Sequence, residues 1–190
     1  MSSQQMPFPI LETRRLILRP PLPEDFEAWA DMMQDETAMR FLGGVQHRAV
    51  AWRTMATTMG AWLLRGYSIF SVIEKSSGQW IGRVGAHYPE CWPGPEVGWG
   101  LIGTAQGKGL AKEAAIASLD YAFDVLGWTE AIHCIHPDNA PSIGLALSLG
   151  SPLMRHDHLP PPIDVDCLVY GQSALDWRRN RRQFSTERNA

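Results

Sequence analysis

The chain is short of cysteine, of excess charge and of long apolar runs, and each shortage removes a class of protein. Its three cysteines, Cys91, Cys134 and Cys167, are odd in number and widely spaced. They make neither a disulfide framework nor a CxxC zinc pair and read as reduced thiols. A formal net charge of -3 gives no long-range field to gather nucleic acid or an anionic membrane, so any anion site must be local. No stretch reaches the roughly 18 uninterrupted apolar residues of a membrane span, and Met1 to Leu11 lacks the basic-then-apolar pattern of a signal peptide. A cytoplasmic protein with no membrane contact is expected.

What remains is a globular composition. The 190 residues, 45% hydrophobic and 19% charged, are enough to bury a core without disulfides or a structural metal. One domain over residues 1–177 is expected, followed by a polar, mobile tail over 178–190.

Local patterns set the order of elements. Leu16-Ile17-Leu18, closed by Pro20-Pro21, reads as a strand. After Pro23-Glu24-Asp25, the three- and four-residue spacing of Phe26, Trp29, Met32 and Met33 predicts an amphipathic helix. A second helix spans Arg48 to Arg65 and stops at Gly66. Tyr67 to Glu74 and Gln79 to His87 read as a hairpin, and Glu96 to Ile102 as a further strand weakened by two glycines. The alanine-rich run Leu110 to Leu126 predicts a buried helix ended by Gly127. Glu130 to Ile135 reads as a strand, Ala140 to Leu149 as a helix capped by Asn139, and Val165 to Tyr170 as a last strand. The sum is a mixed α/β chain, a sheet covered by helices.

The chemically informative segment runs from Trp99 to Glu113: strand, then Gln106-Gly107-Lys108-Gly109-Leu110-Ala111, then helix. The first amides of a helix lack intrahelical acceptors and carry partial positive charge, so a phosphate can collect several N–H bonds there. Gly107 and Gly109 let the backbone approach closely. The same spacing also fits a simple connecting turn. It is neither a Walker A loop nor a GxGxxG fingerprint.

The segment does match Q/R-x-x-G-x-G/A, the pyrophosphate loop of GNAT acetyltransferases, with Gln106 first, Gly109 fourth and Ala111 sixth. Leu11-Glu12-Thr13-Arg14-Arg15-Leu16-Ile17-Leu18-Arg19, Glu96-Val97-Gly98-Trp99 and His136-Pro137-Asp138-Asn139-Ala140-Pro141-Ser142 resemble the RimJ/RimL-type branch of that family. The resemblance implies the GNAT acyl-CoA N-acyltransferase fold, a mixed, mostly antiparallel sheet flanked by helices. It implies acetyl-CoA as donor, no metal, and an amine as acceptor, either a small molecule or a peptide N-terminus. Gln106, Gly107, Lys108, Gly109, Leu110 and Ala111 would hold the diphosphate, Trp99 and Leu101 the pantetheine arm, and Asn139 and Ser142 the arm near its sulfur. A homodimer is compatible with the family.

Transfer to an amine needs a base, because a free alkylamine is mostly protonated near neutrality. Glu96 is the first candidate, with Glu74 and His87 behind it, and its alternative role is a strand-edge carboxylate. Many GNAT enzymes protonate the leaving thiolate with a tyrosine in the helix after the last motif, and Ala146 to Leu149 contain none. Ser142 is then the available acid, or else a first-turn residue satisfying backbone amides. The missing tyrosine also admits a catalytically silent acyl-CoA-binding module. His156-Asp157-His158 has metal-like spacing but is expected in a surface loop. His133 and His136 would point to opposite faces of a strand, and the arginines from Arg178 onward are expected in a solvated tail rather than a nucleic-acid surface.

Overall fold

The computed structural model describes residues 8–186. Residues 1–7, part of the stretch read above for a signal, and 187–190, the end of the expected tail, lie outside it. Strands β1 (Leu11–Glu12), β2 (Leu16–Arg19), β3 (Ile69–Glu74), β4 (Trp80–His87), β5 (Glu96–Leu101), β6 (Glu130–Ile135), β7 (Leu153–His158) and β8 (Asp166–Ser173) form one sheet. Its order is β1-β2-β3-β4-β5-β6-β8-β7. Neighbours are antiparallel except β5 and β6, which are parallel. Helices α1 (Phe26–Gln34), α2 (Glu36–Met39), α3 (Arg48–Arg65), α4 (Leu110–Asp120), α5 (Ala140–Ser148) and α6 (Ala174–Thr186) flank it. This is the GNAT fold expected from the motifs.

The reasons are local. Gly66 ends α3 because it takes the left-handed φ of 75° while its N–H reaches Trp62 O. Leu11–Glu12 adds a short edge strand too brief to show periodicity. The helix expected through Leu126 changes at Tyr121 into a wider π turn, where Leu126 N–H bonds back to Tyr121 O. That turn carries Tyr121, Ala122 and Phe123 into the core.

Two expectations are corrected. His156, Asp157 and His158 lie on strand β7 rather than in a loop, and the ring of His158 is bracketed by Asp164 and Asp166 at 3.1 and 2.8 Å. The segment expected as a polar tail from Arg178 is, as far as Thr186, the continuation of α6. The helix is fastened by Trp177 and Phe184, 1% and 7% exposed, and by Arg181, which grips the Asp120 carboxylate at the end of α4. Its many charges hid this amphipathic stripe. Among the described residues no helix is long and apolar enough to cross a membrane.

Two apolar layers cover the sheet. On one face Leu16, Leu18, Phe70, Val72, Val84, Val97 and Leu101 pack with Leu110, Ala114 and Leu119 of α4. Beside the other face lie Trp29, Met32, Met33, Met55 and Trp80. This second layer is crossed by a buried polar group: Asp25, 3% exposed, takes both Arg19 guanidinium nitrogens at 2.7 and 2.8 Å, the Leu22 amide and the Ser71 hydroxyl. Removing it strands a part-buried cation and two donors. Asp25→Ala is therefore expected to lower the unfolding free energy by about 3 kcal/mol in urea titrations.

Candidate active site

The parallel strands β5 and β6 begin together and then part. Ile132 N–H donates to Pro95 O at 2.9 Å, and Glu96–Ile132 is the one register pair of the two strands. A continued parallel ladder would next join Cys134 N–H to Val97 O. Instead, Cys134 N–H donates to Glu96 Oε1 at 2.9 Å, and Val97 O receives His133 Nδ1 at 2.7 Å. Two side chains thus stand where one backbone bond would be, and the strands diverge beyond them. Backbone groups alternate along a strand, so Trp99 and Leu101 turn theirs to the same side as Pro95 and Val97, into the gap.

His133 is 1% exposed, and burial lowers its pKa to about 4 against the opposing bond to Val97 O. The ring is neutral at physiological pH. A carbonyl can only accept, so Nδ1 carries the proton and Nε2 accepts from Ser151 Oγ, 3.1 Å away. Sequence reading set His133 aside because it weighed only chelation.

Glu96 is 7% exposed, with Trp92 Nε1 at 2.6 Å from its second oxygen. Burial raises its pKa to about 7, against the opposing bonds from Cys134 and Trp92. A Cβ at Gly98 would stand 3.7 Å from Glu96 Oε1, in contact with the carboxylate. Of the weaker candidates, His87 sits directly opposite Glu96 on β4, with its ring edge-on to Trp92 at 4.9 Å. Glu74 lies away from the gap, paired with Leu16 and bonded to Ser77 in the β3–β4 turn.

Trp99 and Ser142 are brought together. The Trp99 ring packs on His133 at 4.7 Å, and its Nε1 donates to Ser142 Oγ at 3.2 Å. Asn139 caps α5, its Oδ1 accepting Ser142 N–H at 3.3 Å. The Ser142 hydroxyl therefore accepts from indole and retains its own proton for donation. Because side chains alternate, Glu96 and Trp99 leave β5 on opposite faces, so the carboxylate and the Trp99–Ser142 pair approach the gap from opposite sides.

At the far end of β5 the glycine loop enters α4. Gly107 and Gly109 both adopt left-handed φ, 70° and 73°, and added Cβ atoms would meet open space at Gly107 and only Arg15 Nη2, at 3.6 Å, at Gly109. Glu113 N–H bonds to Gly109 O, whereas the amides from Gly107 through Lys112 make no well-aligned bond within the described residues. The Gln106 side chain turns back to Leu101 O at 3.0 Å, fastening the loop to β5 rather than facing outward. Lys108 O accepts Arg15 Nη1 at 2.9 Å, and Arg15 Nε meets Glu113 Oε2 at 2.6 Å. Glu113 also accepts from Thr13 Oγ1 and the Arg15 amide. Burial pushes its carboxyl up, but those bonds outweigh it and hold the pKa below the usual range. Arg15 and Glu113 are site residues the sequence reading missed. Only their position in two recognised motifs could have signalled them.

Comparison with known proteins decides the family. Residues 15–151 match the model of the acetyltransferase (GNAT) domain. The chain belongs to the GNAT acetyltransferase family. It is 30% identical over 142 residues to the uncharacterized N-acetyltransferase p20 of Bacillus licheniformis, covering 73% of this chain and 80% of that protein. An acetyltransferase structure from Agrobacterium tumefaciens superposes with a TM-score of 0.77 at 30% identity, over 90% of this chain and 98% of the other. The ribosomal-protein-S5-alanine acetyltransferase of Vibrio fischeri shares the fold, with a TM-score of 0.68 at 16% identity over 89% of this chain and 98% of that one.

In this GNAT chain the buried Glu96 has a direct thermodynamic consequence. Its folded pKa of about 7 lies above the ordinary 4.5, so between those values the folded protein keeps a proton that the unfolded chain has released. Its contribution to stability is greatest below the unfolded value and declines as pH rises through the folded one. Glu96→Gln removes that decline. Denaturant melts of the two proteins from pH 5 to 8 are expected to show Glu96→Gln gaining on the parent by up to about 3 kcal/mol.

Proposed function

We propose that this protein is an acetyl-CoA-dependent N-acetyltransferase that joins donor and a primary amine in one ternary complex. The observation that carries the reading is the row of amides from Gly107 to Lys112 that make no well-aligned bond within the described residues, at a helix start and beside the opening between β5 and β6. Those amides, with Gln106 fastening the loop, fit the diphosphate of a coenzyme A thioester, because open space lies beside Gly107 and only the Arg15 guanidinium, a cation, stands near Gly109. Gly107, Lys108, Gly109, Leu110 and Ala111 supply the donors. The pantetheine arm takes the place of the missing strand against Trp99 and Leu101; since Leu101 O already accepts from Gln106, Leu101 contributes its N–H.

In the reaction the amine nitrogen attacks the thioester carbonyl carbon, the C–S bond breaks, and an amide forms. Glu96, with a pKa of about 7, accepts the ammonium proton, and a backbone N–H of Trp99 meets the developing oxyanion. The departing thiolate is protonated through Ser142, whose hydroxyl, oriented by Trp99 on a helix capped by Asn139, gives up its proton as it takes the second proton shed by the nitrogen when the amide forms. Ser142 thus fills the place of the tyrosine absent from α5. The Leu11–Arg19 run and the likeness to the Vibrio fischeri enzyme support membership of the RimJ/RimL-type branch.

Two experiments test this. Gly107→Glu and Gly109→Trp each add about 1 kcal/mol of backbone strain, small against the fold, but fill the phosphate space. Calorimetry is expected to show acetyl-CoA binding lost in both, and unchanged affinity would refute the loop assignment. For turnover, kcat/KM of the parent should rise through pH 7 as Glu96 ionises, while Glu96→Gln should be slowed by about 100-fold and lack that limb. Thiol release with a panel of amines separates an enzyme from a silent acyl-CoA-binding module, which would bind the thioester and release none.

A further inference from the structure

The face of the sheet that carries Glu96 also carries an arginine with no acidic partner. On β4, His87 stands opposite Glu96 and Arg83 opposite Gly100. Alternation puts Arg83, His87, Glu96, Gly98 and Gly100 on one face. Arg15 meets Glu113, Arg19 Asp25, Arg48 Glu27, Arg155 Asp157 and Arg181 Asp120, whereas Arg65, the other cation acting on His87, bonds to the Tyr88 carbonyl. Among the described residues, no carboxylate lies within ion-pair distance of Arg83 and no hydrogen bond holds its guanidinium. Its Cζ stands 5.1 Å from the Trp29 ring centroid.

The cost is visible in the titration of this face. Burial lowers the pKa of Arg83 to about 10, which still leaves it charged near neutrality. Burial first, then the charges of Arg83 and Arg65, hold neighbouring His87 at about 4. Arg83 is half-buried, and a partly desolvated cation with no carboxylate beside it stays uncompensated unless something supplies the negative charge. An anion arriving with the substrate would do so. The planar guanidinium offers two parallel N–H donors that match the two oxygens of a carboxylate.

We propose that Arg83 binds a carboxylate of the acceptor, so that the acceptor is an amine that itself carries a carboxylate group, such as an amino acid. This rests on the transferase reading given above. The register from Glu96 to Gly100, the residue opposite Arg83, spans about 13 Å between α-carbons, a separation on the scale of a small molecule held by both side chains. Glu96 would face the amine and Arg83 the carboxylate of one molecule. Arg83 is thus a specificity residue.

The test compares free amino acids with their α-carboxamides and with short peptides of the same first residue, whose terminal carboxylate is remote. The parent protein is expected to favour the free acid by about tenfold or more in kcat/KM, mainly through KM. In Arg83→Gln that ratio should fall towards one, and Arg83→Lys should restore part of it. A parent that treats acid and amide alike, that prefers the peptide, or an Arg83→Gln protein that keeps the ratio, would overturn the proposal. Calorimetry with N-acetyl amino acids and their amides gives a second readout that needs no turnover. Acid-selective binding that is lost in Arg83→Gln supports the proposal, and equal binding of acid and amide overturns it. If acetyl-CoA itself fails to bind, the transferase reading falls, while the binding comparison still decides the role of Arg83.

Discussion

The arrangement depends on a single interrupted ladder. Parallel strands β5 and β6 would ordinarily continue bonding along their length, because unpaired backbone groups inside a sheet are costly. Here Glu96 and His133 satisfy Cys134 N–H and Val97 O with side chains, so the backbone groups at the fork stay bonded while the strands separate. The fork is therefore stable without a continuing strand partner. The same two residues set the local chemistry, since Glu96 is buried and held by Trp92 and the Cys134 amide, and His133 supplies the surface on which Trp99 rests.

The entrance to α4 follows a different logic. Its amides find no well-aligned acceptor among the described residues, and the nearby side chains are tied elsewhere: Gln106 to β5, Glu113 to Thr13 and Arg15, and Arg15 to the Lys108 carbonyl. An acid in the first turn of a helix would normally compete for the amides or damp their positive field. Glu113 is instead drawn to the edge of the sheet, so the loop is held rigidly from below with its N–H groups exposed. Preorganisation of this kind limits the entropy lost when an anion binds.

Much of the fold was legible because its signals are local. The spacing of Trp29, Met32 and Met33, the stop at Gly66 and the run Gly107-Lys108-Gly109 each depend on neighbours a few residues away. What escaped depends on distant partners. The alternation of β7 is masked because its residues are mostly exposed, and α6 reads as a charged tail until Trp177 and Phe184 are seen against the core and Asp120 against Arg181. At the site, Gly107, Gly109, Glu96, Trp99 and Ser142 could be found from motif and chemistry. Arg15, Glu113 and His133 escaped, because their roles arise from contacts 18 to 100 residues apart in sequence. The outward role given to Gln106 was reasonable by position, but its amide reaches the strand behind it.

The bonds behind His133 continue in one direction. Asn180 of α6 donates to Gln172 Oε1, Gln172 donates to Ser151 Oγ, Ser151 to His133 Nε2 and His133 Nδ1 to Val97 O. Every member gives in the same sense, so each polarises the next and none can reverse without reversing its neighbours. Both imidazole nitrogens are engaged, Nδ1 by Val97 O and Nε2 by Ser151 Oγ. The last helix of the chain thereby reaches the middle of the sheet, acting as the anchor of a one-way relay that keeps a carbonyl at the mouth of the fork in a constant orientation.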